Sequence, residues 1–261
     1  MPDTKGRSMP LNPHDFLDGL TPRAKGILNE RIVADWLYRW QYSSAALIQA
    51  RLCKQASGWA SLAVKRKLLR SIENESSSPL KLFLLAARRL ELAECHASQL
   101  LDHEDDPYRI NMSLVRHNLL AQSLTSNALS KGHILDFMSE RQLWVADRKL
   151  IKRPDAVWVM PSGTRLALEV ELSGKFGRRL DEFVGAIADS LERDPDRRQF
   201  DQVLIVTYSK AICERYRAAF AAGAPLRTWS KDGRGHWAVQ RQVEVPTGIQ
   251  RLINFRLLAT S

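Results

Sequence analysis

Cysteine is scarce in this chain, and its count is odd. Cys53, Cys95 and Cys213 are the only three in 261 residues. They are too few and too widely spaced for a disulfide framework or a paired-cysteine metal site, so a reducing, cytoplasmic setting is expected. Long apolar runs are missing too. Nothing approaches the roughly 20 residues of a bilayer span, and membrane insertion is not expected. The opening MPDTKGRSMPLNPHD lacks an apolar h-region, so no secretory signal is expected. Cys95-His96 with His103 is too sparse for zinc. The chain contains no HxH cluster, and Tyr38, Tyr42, Tyr108, Tyr208 and Tyr216 are scattered. Histidine-metal chemistry with a tyrosine nucleophile therefore finds no support. Large repeats and low-complexity tracts are likewise missing.

What is present is the balance of an ordinary globular chain, with 44% hydrophobic and 26% charged residues. The length accommodates one large core or two modest ones, and two domains are expected. The formal net charge of +10 favours a polyanionic partner, nucleic acid before anionic membrane, although a mildly basic surface also occurs without any partner. Between Gly19 and Ala93 there are 13 basic and 5 acidic residues. The acidic patch Asp102, Glu104, Asp105 and Asp106 then leads to Pro107, a charge switch that reads as a boundary between two modules.

The first module spans residues 18–95. Thr21-Pro22 opens a helix carrying Ile27, Ile32, Val33, Trp36, Leu37 and Trp40 at helical spacing. Ser43-Ser44 opens a second, short helix. After Gly58, Trp59 to Ile72 reads as a third, with Ser61, Lys65, Arg66, Lys67 and Arg70 facing outward. A turn-rich stretch from Glu73 to Pro79 precedes an apolar run, Leu80 to Ala87, that reads as a strand. Three short helices followed by strands are the order of a winged helix-turn-helix, whose third helix enters the DNA major groove. The alternative is a three-helix bundle with a merely solvated basic face.

The second module spans residues 108–261. Ser113 to Ser139 reads as helical, broken at Gly132, and Leu143 to Lys149 as a strand. Ala156 to Met160 and Arg165 to Leu172 read as strands, Leu180 to Leu191 as a helix, and Gln202 to Tyr208 as a strand buried on both faces. Asp232-Gly233-Arg234-Gly235 reads as the turn of a hairpin. Side chains alternate along a strand, so Glu169 and Glu171 share one face and Leu166, Leu168, Val170 and Leu172 the other. Two neighbouring carboxylates are costly to bury without a compensating cation. Asp155, opening the adjacent strand, reaches the same end of the sheet. Three convergent carboxylates are an oxygen-ligand set for Mg²⁺ or Mn²⁺. The alternative is a half-exposed strand with its glutamates in water. Lys175, Arg178 and Arg179 lie where they can grip a DNA backbone. His117 is a candidate general base or phosphate contact, or a structural histidine.

The order of elements, with RPDAVWV followed by LALEVELSGK, resembles the PD-(D/E)xK restriction-endonuclease-like superfamily. With Arg116-His117 and the N-terminal helices, residues 20–220 resemble the MobC-type plasmid mobilisation relaxases and the related replication-relaxation proteins. The resemblance implies an α+β protein, a winged helix joined to a nuclease-like domain with a mixed central sheet. It also implies a metal-dependent endonuclease nicking one strand of double-stranded DNA at a transfer origin, with relaxosome and coupling proteins as partners. Asp155, Glu169 and Glu171 would then bind Mg²⁺ or Mn²⁺. Glu171 stands where the superfamily's general pattern has Lys, which leaves Lys175 either to face the scissile phosphate or to be a surface lysine. The alternative is a DNA-binding relaxosome accessory or regulator that keeps the fold without the chemistry.

Overall fold

Thr21 caps the first helix, α1 (Pro22–Trp40), by accepting a hydrogen bond from the Ala24 amide at 3.3 Å, with Pro22 at the first position where its missing N–H costs nothing. The computed structural model describes residues 19–52, 58–74, 78–79, 81–103, 106, 109–146, 152–192, 198 and 200–259. The N-terminal segment, Cys53, Glu75–Ser77, Leu80, Glu104, Asp105, Pro107, Tyr108 and the 147–149 end of the expected strand lie outside the described residues. By its contacts the chain divides into two compact units. One comprises Met1–Arg148 with Trp158–Pro161, and the other Lys149–Val157 with Ser162–Ser261.

In the first unit, Ser43–Ser44 form β1, and Ser44 caps α2 (Ala45–Arg51) through its hydroxyl, 3.2 Å from the Leu47 amide. Next come α3 (Trp59–Lys65), β2 (Leu69–Glu73) and β3 (Lys81–Leu85). β3 pairs antiparallel with both β1 and β2, giving a three-stranded sheet. The expected third helix is shorter than the sequence pattern suggests. The Lys67 amide bonds the Val64 carbonyl and the Leu68 amide bonds the Ala63 carbonyl, each at 2.9 Å. That Schellman closure passes through Lys67 at φ 56°. Ser61 and Lys65 therefore stay on the helix, Arg66 closes it, Lys67 turns the chain, and Arg70 is on a strand.

The unit continues with α4 (Ala87–His96), α5 (Met112–Ser130), β4 (Asp136–Ser139) and α6 (Glu140–Ala146). Gln122 ties α5 to this unit. Its side-chain carbonyl accepts from Ser43 at 2.7 Å and from the Trp36 indole at 3.2 Å, while its amide donates to the Tyr42 carbonyl at 2.9 Å. Gly132 does end α5, at φ 65°, but the chain beyond it forms a strand and not a second helical piece. Arg39 binds the Asp136 carboxylate and the Phe137 carbonyl, both at 2.9 Å, and the Phe137 ring packs 5.5 Å from Trp36 and 5.6 Å from Trp40. These contacts hold Asp136–Ser139 extended. Nor does the strand expected from Leu143 form. Ser139 and Gln142 make a reciprocal capping box, with amide-to-side-chain distances of 3.1 and 3.4 Å, and Leu143–Ala146 continue the helix it starts.

The larger sheet has five strands in the order β10-β7-β6-β5-β4. β5 (Ala156–Val159) turns back into β6 (Arg165–Val170) across a connection with Gly163 at φ 82°. A link that short joins antiparallel strands. In the second unit β6 continues through α7 (Arg178–Glu192) to β7 (Gln202–Thr207), which pairs parallel with it. After α8 (Lys210–Ala219) comes a separate hairpin of β8 (Pro225–Lys231) and β9 (Trp237–Glu244). A 3-10 turn leads into β10 (Ile253–Leu257), parallel to β7 on its other side. With antiparallel and parallel pairs in one sheet, the fold is α+β with a mixed sheet. Among the described residues there are eight helices, none long and apolar enough to cross a membrane.

Candidate functional site

The end of β6, which lies between β5 and β7 in the sheet, is buried on both faces rather than half exposed. Ala167 through Glu171 are all buried, with Glu169 and Glu171 each only 4% exposed. The parallel ladder fixes their positions. Glu169 stands opposite Ile205, and the Glu171 amide extends the ladder by bonding the Val206 carbonyl at 2.8 Å. Two residues apart on one strand, both carboxyl groups project from the same face. The reading with both glutamates in water is thus excluded.

Asp155 brackets the first of them. Its amide bonds the Leu168 carbonyl at 3.0 Å, and its Oδ2 accepts from the Val170 amide at 2.7 Å. Those are the backbone groups on either side of Glu169. Two lysines supply the cationic charge that buried carboxylates require. Lys152 Nζ lies 2.6 Å from Glu169 Oε1, a close ion pair. Lys175 Nζ pairs with Glu171 Oε1, while the buried Tyr216 hydroxyl donates to Glu171 Oε2 at 2.9 Å. Both ammonium groups rest on one ring, at 4.5 Å (Lys175) and 5.5 Å (Lys152) from the Phe183 centroid.

This environment changes the proton affinities. Burial pushes the Glu169 carboxyl up to about 8; Lys152 opposes the rise, and the charges of Asp155 and Glu171 add to it. Burial pulls the Lys152 ammonium down, but Glu169, Asp155 and Glu171 together carry it above its ordinary value. Burial raises the Tyr216 phenol, which keeps it a donor.

Lys152 and Tyr216 are site residues that sequence reasoning missed; the one signal for Lys152 was its position, three residues before Asp155. Lys175 does reach the carboxylates, as an ion-pair partner of Glu171. Arg178 and Arg179 begin α7, where Arg178 pairs with Glu182 and stacks on Trp237, its guanidinium carbon 4.0 Å from the ring centroid. His117 lies on α5 in the first unit, with Nδ1 3.2 Å from Asn118 Oδ1. On the first unit's basic segment, Ser61, Lys65 and Lys67 are exposed, and Arg66 pairs with Glu30 at 2.9 Å.

By chemistry alone, the acids here match a hard divalent cation. Their carboxylate oxygens are of the kind such an ion takes, and those of Glu169 and Glu171 are held by lysines. As the side chains stand, among the described residues no three carboxylate, histidine or cysteine groups are disposed to share one ion. Binding would therefore require the lysine pairs to open. No protein-family model matches the chain, and no curated protein and no solved structure resembles it significantly.

Proposed function

We propose that the protein is a DNA-processing enzyme of conjugative mobilisation, a cytoplasmic endonuclease that nicks one strand at a transfer origin within a relaxosome. The observation that carries the reading is the buried pair Glu169 and Glu171 beside the braced Asp155, with Lys152 and Lys175 on the glutamates. A cluster so costly to bury is a candidate for chemistry rather than for stability. Asp155, Glu169 and Glu171 would hold Mg²⁺ or Mn²⁺, which when bound supplies water activation and neutralises charge on a phosphodiester.

The chain's own groups have separable tasks. Asp155 fixes the strand at Glu169, and Tyr216 orients Glu171. Lys175, once released from Glu171, would be a cation for a phosphate, and Arg178 and Arg179 extend the positive surface along α7. In the first unit, the order of α1, β1, α2, α3, β2 and β3 with a three-stranded antiparallel sheet supports a winged helix. Ser61 and Lys65 on α3, with Arg66 and Lys67 at its end and Arg70 beyond it, would be the duplex-facing surface.

A second reading, a relaxosome accessory or regulator without catalysis, is favoured by the ion pairs that already satisfy both glutamates. Nicking separates the two. Supercoiled plasmid carrying the cognate origin is incubated with Mg²⁺ or Mn²⁺, and then with chelator. The catalytic reading expects open circles that disappear with chelator and with Glu169→Gln or Glu171→Gln. Equal nicking by both variants, or none with either metal, removes it.

A further inference from the structure

The β8–β9 hairpin is an anomaly in a protein built around buried sheets. β8 leans on α7, where the Trp229 indole donates to Asp181 Oδ2 at 2.9 Å and Arg227 pairs with the same oxygen at 3.5 Å. Asp181 is itself 8% exposed, so this anchor is firm. β9, in contrast, is exposed along almost its whole length, on both faces. A two-stranded ribbon with two wet faces adds little to a core.

Its outer strand begins with Trp237, which is 45% exposed and lies under the Arg178 guanidinium at 4.0 Å, with Lys231 Nζ at 5.6 Å. Two residues before Arg178, Phe176 is 63% exposed and carries the Arg215 guanidinium at 3.8 Å. Gly174 leaves room for that stack, since a Cβ there would sit 2.7 Å from Arg215 Nη1. Two large aromatic rings are thus held outward at the start of α7, each backed by an arginine. Lys175, which contacts Glu171, is the residue between Gly174 and Phe176.

We propose that Phe176 and Trp237 are a stacking platform for unpaired bases, so that the second unit binds single-stranded DNA. This rests on the proposed DNA-processing role and adds to it the form of the substrate at the carboxylate cluster, a melted strand. The chemistry of the surface matches that ligand. Exposed rings offer stacking surface to any base, and the arginines over them, with Lys231, oppose the phosphates. Duplex DNA, whose bases are already stacked, makes no use of such rings.

The test is binding in chelator, so that no cleavage intervenes and the outcome is independent of nicking. The full chain is titrated against a labelled oligothymidine of about 15 nucleotides and against an abasic strand of equal charge, with anisotropy as the readout. The platform expects the oligothymidine to bind about tenfold or more tightly than the abasic strand. Phe176→Ala and Trp237→Ala should each remove most of that difference, while Trp237→Phe should keep it. Both alanine sites are exposed, and far-UV circular dichroism verifies that the variants fold. Equal affinity for the two strands, no binding of either, or alanine variants that bind oligothymidine as the parent does, each overturns the platform. Loss of nicking in Glu171→Gln with base-dependent binding intact would support both readings separately. Base-dependent binding without nicking in the parent would sink only the catalytic one.

Discussion

The Tyr216 hydroxyl stands between two groups of one loop: it donates to Glu171 Oε2 at 2.9 Å and accepts from the Lys175 amide at 3.1 Å. One phenol on α8 thereby sets both the orientation of a buried carboxylate and the backbone that carries its lysine partner. Tyr216→Phe keeps the packing against Phe183 and removes both bonds. It should cost about 1–3 kcal/mol in urea unfolding, the penalty of leaving buried polar groups unpaired. Under the catalytic reading it should also slow nicking without changing DNA affinity. A variant as stable as the parent would show that water replaces the hydroxyl.

Glu169 gives the protein a pH dependence of definite sign. Its folded value of about 8 lies above the ordinary 4.5. Between those limits the folded state holds a proton that the unfolded chain has released, so stability is full below the lower value and falls as pH rises through the upper one. Thermal melts should decline from pH 5 towards pH 9, and Glu169→Gln, neutral throughout, should flatten that decline. A parent and variant with parallel profiles would contradict the assignment.

The same titration decides what Lys152 contributes. At about pH 6 Glu169 is neutral, and Lys152→Met should cost little. Near pH 9 the parent's acid is ionised against Lys152, whereas without that partner it keeps its proton, so the loss should cost up to about 1.4 kcal/mol more than at pH 6, one pH unit past the folded value of about 8. The combination Lys152→Met with Glu169→Gln should recover most of that loss. Urea denaturation at the two pH values measures all four proteins, and a pH-independent cost would mean that Lys152 acts through packing alone.

The carboxylates were legible because period-two alternation is a local property. R-L-A-L-E-V-E-L places two glutamates on one face whatever surrounds it. Their burial was not legible, since it depends on what packs over that face of β6, including Phe183 from α7 and Tyr216 from α8. Lys152 escaped for the same reason, being brought to Glu169 by the turn at Pro154-Asp155 and by no periodicity. β4 was hidden because Asp136-Phe137-Met138-Ser139 is held extended by Arg39, roughly a hundred residues earlier in the chain. The start of α6, however, was present in Ser139 and Gln142 at capping-box spacing.

Lys67 hides a helix end, because such ends are usually marked by glycine and here a lysine takes the left-handed position at φ 56°. A side chain costs about 1 kcal/mol in that conformation, although glycine also gains freedom in the unfolded chain. Lys67→Gly should therefore leave stability unchanged or raise it by up to about 1 kcal/mol. If the exposed ammonium meets a phosphate, the substitution should also lower the salt dependence of duplex binding by about one counterion. Chemical denaturation and a salt titration of the same variant read the two effects separately. A stabilised variant with an unchanged salt slope would place Lys67 outside the DNA contact and leave its charge without a role in binding.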